Sequence, residues 1–91
     1  MGTSKVFSKD PEAVLDFEID WSAWLGADTI AVSEWTVADG ITREADTATT
    51  TSATIWLSGG TAGADYSATN RITTAAGRVT DCTLTILVRS A

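Results

Sequence analysis

The chain has 91 residues, a length that buries only about 60–65% of its unfolded surface and leaves no material for a second core. Its 6 basic and 12 acidic residues give a net charge of −6, which argues against nucleic acid or an anionic membrane as partner, since each demands a basic patch. With 0 histidines, the usual general base and the commonest zinc ligand are gone, and Ser-His and Cys-His nucleophile pairs go with them.

Threonine is the commonest residue with 16 copies, and 4 tryptophans accompany alternating Val, Ile and Leu, so strands are expected and long helices are not. A compact fold of this length has a radius of gyration of about 12 Å. Cys82 is the sole cysteine, so packing replaces any intrachain disulfide, and its inward parity makes it a small core residue. No apolar run approaches the ~18–20 residues of a membrane span, and MGTSKVFSKDPEA has no apolar leader core. The expectation is a chain not exported by a signal of its own and built in the cytoplasm.

Residues 1–12 are polar, carry Lys5 and Lys9, and end at the only proline, Pro11. They are expected as a flexible arm, mobile or hugging an edge, ahead of a single domain over residues 13–91. The first strand puts Ala13, Leu15, Phe17, Ile19 and Trp21 on one face and Val14, Asp16, Glu18 and Asp20 on the other. Carboxylates two apart on a strand lie roughly 6.5–7 Å from one another, so a calcium site would need loop ligands that the sequence does not offer. A charged solvent face that discourages edge pairing is the simpler reading. Asp20-Trp21-Ser22-Ala23-Trp24-Leu25-Gly26 follows, with tryptophans at i and i+3 and a closing glycine, the pattern of a single helical turn plugging one end of a sandwich. Both Trp21 and Trp24 read as structural, although an indole there would also suit sugar stacking.

From Thr29 to Val37 a second strand changes face: Ile30 and Val32 share one parity, Trp35 and Val37 the other, which predicts a bulge near Ser33-Glu34. Trp35 is placed like the central tryptophan of an immunoglobulin-like sandwich without the flanking cysteines. Ala38-Asp39-Gly40 turns into Ile41–Asp46, and the threonine-rich run 47–54 passes into a strand with Ala53, Ile55 and Leu57 inward. Trp56 has the opposite parity and is expected at a contact surface. The glycines of Ser58-Gly59-Gly60-Thr61-Ala62-Gly63 precede a strand, whereas phosphate loops precede a helix. Tyr66 then stands where Greek-key sandwiches carry a tyrosine corner. Gly63 to Arg89 reads as one hairpin turning at Ala75-Ala76-Gly77-Arg78. Tyr66, Ala68 and Ile72 face inward on its first arm, and Cys82, Leu84, Ile86 and Val88 on its second. Asn70 interrupts that apolar face, either as a buried, fully bonded amide or at a bulge. The fold class is therefore all-β, an immunoglobulin-like or fibronectin-III-like sandwich of about six to seven antiparallel strands.

Carboxylate pairs such as Asp16/Glu18 or Asp39/Glu44 are what remains for acid-base catalysis, but so small a sandwich has little room for a pocket of roughly 300–1,000 Å³. The arginines at 43, 71, 78 and 89 are dispersed. No catalytic, cofactor or metal residue is assigned. In order and almost in full, KDPEAVLDFEIDWSAWLGADTI, SEWTV and WLSGGTAGADYSATNRITTAAGR resemble the small fibre-to-tail adaptor proteins of tailed phages and of prophages of Gram-negative bacteria, from about Lys9 to Arg89. The pairing of the Asp20–Gly26 stretch with Asn70–Arg78 is its most specific part. That resemblance implies an immunoglobulin-like structural protein of the virion, without enzymatic residues or cofactor. Such a protein is assembled in the host cytoplasm and docks on other virion proteins, with further copies of itself admitted in the particle. Lys5, Val6 and Phe7 on the arm and Trp56 are the expected partner contacts. An immunoglobulin-like module of a bacterial surface adhesin and a carbohydrate-binding module are the competing readings.

Overall fold

The computed structural model describes residues 3–90. Seven strands and one helical turn follow in order: β1 (Thr3–Lys9), β2 (Leu15–Asp20), α1 (Ser22–Leu25), β3 (Ile30–Val37), β4 (Ile41–Ala48), β5 (Ser52–Gly59), β6 (Asp65–Thr74) and β7 (Val79–Val88). Sheet A has the order β1-β7-β6-β3 and sheet B the order β2-β5-β4. Read as immunoglobulin strands B to G, β2 to β7 fall into the B-E-D and C-F-G sheets, with β1 lying beside the last strand. The result is a sandwich with a radius of gyration of 13.4 Å and extents of 42 × 22 × 20 Å.

Alternation in the sequence becomes alternation in burial. On sheet B, Phe17, Ile19, Ala53, Ile55 and Leu57 point inward; on sheet A, Ala68, Ile72, Cys82, Leu84, Ile86 and Val88 do. Ile19, Ile55, Leu57, Ile72, Leu84 and Ile86 are almost wholly withdrawn from water, and each such side chain contributes about 1.5–3 kcal/mol. The expected hairpin is β6 and β7, in register from Asp65 opposite Leu87 to Thr73 opposite Val79. The expected helical turn is α1.

Three expectations change. The stretch expected as a flexible arm, mobile or hugging an edge, takes the edge as a regular strand: Thr3–Lys9 forms β1, pairing with β7 from Thr3 opposite Cys82 to Lys9 opposite Val88. Phe7 explains the docking: it has inward parity and its ring lies 5.1 Å from that of Phe17, closing the gap between the sheets. Lys9 is buried, with its ammonium donating to the Asp10 and Gly59 carbonyls at 2.8 Å each. The β1–β7 pair is also parallel, so the strands are not all antiparallel. Lastly, the bulge in β3 falls between Ile30 and Val32 rather than at Ser33-Glu34. An extra residue at that point leaves Val32 outward and brings Ser33 to the inner face, where Asn70 uses it.

Candidate docking surfaces

At one end of the sandwich the two most specific sequence stretches meet. Trp21 is buried and Trp24 half-buried, with ring centroids 5.8 Å apart in an edge-on arrangement. Arg78, at the hairpin turn, lies over Trp24 with its guanidinium carbon 4.2 Å from the ring centroid. Its Nε donates to Asp28 at 3.0 Å and its Nη2 to the Leu25 carbonyl at 2.9 Å. Asp28 also accepts from the backbone N–H groups of Thr29 and Ala76, at 2.8 and 3.2 Å. Hydrogen bonding from the Thr74 side chain, then from Thr29, Arg78 and Ala76, outweighs desolvation and holds the Asp28 carboxyl at about 2. One carboxylate thus ties the α1–β3 connection to the β6–β7 turn. Sequence reasoning missed Asp28 and Arg78 as a unit, because a separation of 50 positions hides the pairing.

Asn70 is the buried, bonded amide of the two alternatives. Its Oδ1 accepts from Trp21 Nε1 at 3.0 Å, and its Nδ2 donates to Ser33 Oγ at 2.9 Å and to the Glu34 carbonyl at 3.0 Å. An indole N–H only donates, so Trp21 fixes which way the amide points. Trp35 lies in the core opposite Asn70, and among the described residues its Nε1 has no hydrogen-bond partner. Tyr66 makes the expected corner, its hydroxyl oxygen accepting from the Thr61 N–H at 2.9 Å. Two residues on, where antibody domains carry the second cysteine, stands buried Ala68. The Tyr66 ring packs between Gly40 and Gly60, where an added Cβ would approach ring carbons to 2.7 and 3.3 Å at φ of 98° and 94°. Neither position accepts a side chain without displacement.

The expected partner contacts do not form one site. Val6 is 64% exposed on the outer side of β1, Lys5 and Phe7 share the inward parity of that edge strand, and Trp56 stands on the opposite sheet. Trp56 is 40% exposed on β5, the middle strand of sheet B, opposite Asp16 of β2 and Ala45 of β4. Glu18 stands opposite Thr54, one outward position along. On the other side Glu44 accepts from the Ser58 hydroxyl. Sequence alternation did not place Glu44 and Ala45, because β4 carries a bulge between Arg43 and Ala45 that shifts the parity.

An open groove of about 460 Å³ crosses the outer face of sheet A, lined by Glu34, Trp35, Thr36, Thr69, Arg71 and Asp81. None of the carboxylates proposed as acid-base pairs lines it: Asp16 and Glu18 lie on β2, Asp39 in the β3–β4 turn, and Glu44 on β4. Arg71 and Asp81 pair there at 3.4 Å. Among the described residues no three metal-ligating side chains cluster, and no helix is long and apolar enough to cross a membrane.

A sandwich of this topology, tied at its ends by a tyrosine corner and an arginine-capped indole pair, defines a small immunoglobulin-like module. The chain belongs to the family described as podophage GP4 fiber-tail adaptor protein gp77, whose model matches residues 9–87. It is thereby a phage structural protein of the adaptor type, a component of the virion. The matched span takes in β2 to β6, nearly all of β7 and, of β1, Lys9 alone. Compared with curated proteins, the chain finds no match.

Proposed function

We propose that the chain connects tail and fibre by docking its two sheets on different virion proteins, through the β1 edge with Lys5, Val6 and Phe7 and through the Trp56 face. The observation that carries this reading is the placement of exposed Val6 and exposed Trp56 on opposite sheets, which lets two neighbours bind at once. β1 is also the kind of edge that strand pairing uses: of the other edge strands β3 and β4 carry bulges and β2 carries Asp16, Glu18 and Asp20, whereas β1 pairs without a register shift. Many copies in a symmetric particle make individually weak contacts additive through effective concentration. Assembly takes place in the host cytoplasm, before the protein is found in the virion.

Particles built with Val6→Glu and with Trp56→Ala test this, because both side chains are exposed and neither belongs to the buried core. Each variant is expected to stay folded while lowering the amount of adaptor or of fibre in purified particles. Undiminished adaptor and fibre in both variants overturns the reading. A carbohydrate-binding module would use the same exposed indole, and tryptophan fluorescence unmoved by a glycan panel removes that alternative.

A further inference from the structure

The outer face of sheet B has a charge pattern that selects its occupant. Asp16, Glu18 and Asp20 project from β2, Glu44 reaches in from β4, and Trp56 stands between the two edge strands. Among the described residues no Lys or Arg takes an outward position on β2, β4 or β5. Arg43, the one basic residue on these strands, stands opposite inward Leu57 and turns to the Trp35 carbonyl at 3.4 Å and to Asp46 at 3.8 Å. Ala45, the small neighbour of Trp56 on β4, leaves that side of the indole uncovered by a large side chain.

Resting on the docking reading above, we propose that this face receives an arginine-bearing basic surface of a different virion protein, with Trp56 as the stacking platform and Asp16, Glu18 and Glu44 as charge partners. The molecule already contains the complete form of this arrangement. At the β6–β7 turn, Arg78 lies 4.2 Å over the Trp24 ring while donating to Asp28 at 3.0 Å. Trp56 opposite Asp16 supplies the aromatic and the carboxylate of the same trio, and the partner supplies the guanidinium. Arginine suits the place better than lysine, because its planar fork stacks on an indole and engages carboxylates at its edge together.

A second copy of the chain would have to give up an ion pair of its own to supply that group. Arg43, Arg71, Arg78 and Arg89 are each paired with a carboxylate of their own chain, at 3.8, 3.4, 3.0 and 3.1 Å. Lys9 is spent on two carbonyls. Lys5 is close enough to Asp20 to help lower its pKa, behind the hydrogen bonds from Ser22. The chain therefore meets its neighbour with uncompensated negative charge, and a neutral saccharide would leave those carboxylates unanswered.

Photo-cross-linking in assembled particles tests the proposal, with Trp56→p-benzoylphenylalanine as probe and Val6→p-benzoylphenylalanine as reference, followed by peptide mass spectrometry. Position 56 is expected to capture a different virion protein at a peptide containing arginine. Adding Asp16→Asn and Glu18→Gln is expected to lower that yield about fivefold, since exposed pairs are each worth a factor of a few. Capture of another copy of this chain, of a peptide without a basic residue or of a glycan overturns it, as does a yield indifferent to the two neutralisations. Product at position 6 and none at position 56 overturns this proposal alone. No product at either position, in particles that contain the chain, overturns the docking reading with it.

Discussion

Asp28 shows how much one side chain can organise in so small a domain. Its carboxyl sits at about 2, below the ordinary 3.8, because Thr74 and then Thr29, Arg78 and Ala76 hydrogen-bond its charged form. A depressed carboxyl stabilises the fold fully above its unfolded value, and that stabilisation is lost as pH falls from about 4 towards 2. Thermal melts across this window should show the melting temperature of the native chain falling with acid, and Asp28→Asn should flatten that part of the profile. Asn70 is the second such residue, and its loss is felt in the core rather than in the pH profile. Asn70→Ala leaves the Trp21 N–H and the Glu34 carbonyl without their partner and should cost about 3 kcal/mol in urea unfolding. In a double-mutant cycle, Trp21→Phe should be much milder in the Asn70→Ala background than in the native one, because the donor it removes is already orphaned. Asn70 was legible only as an interruption of an apolar face, and its partners were not, since Trp21 and Ser33 are 49 and 37 residues away.

Among elements, β6 and β7 were the easiest to read, because ten-residue arms with strict alternation around a glycine turn admit one register. β2 and α1 announced themselves by similar local signals. β1 did not. Its alternation, Lys5, Phe7 and Lys9 against Val6 and Ser8, has two cations on the inward parity, and only the opening at the sandwich edge makes that arrangement affordable. Lys9 is buried there with its ammonium on carbonyl oxygens. The bulges in β3 and β4 were half visible: a change of face in β3 implied one, but its position depends on which side chain Asn70 needs. Removing residues 1–10 should uncover Phe17 and the β7 edge and cost about 3 kcal/mol, a fall of roughly 10–20 °C in melting temperature by circular dichroism. Substitutions at exposed Val6 are for this reason a cleaner probe of docking than truncation.

At the level of the whole molecule, sandwich and family could be read from the chain, whereas the arrangement of its surfaces could not. Inward positions obey a simple periodicity, but which outward positions become neighbours depends on sheet order, and β4 pairs with β5 across a parity shift. The charge of −6 was likewise visible as a total, without the finding that the arginines are neutralised within the chain and half of the remaining carboxylates share one face.

The parallel course of β1 and β7 carries a mechanical consequence. Force drawn through the start of β1 and the end of β7 slides these strands lengthwise, so their backbone bonds share the load and must give way together. Tension across the β6–β7 hairpin would instead peel its rungs one at a time. Single-molecule pulling from the two termini should give a rupture force well above that for pulling from Asp65 and Val88. Equal forces along both directions would show that the rungs between β1 and β7 do not carry the strain.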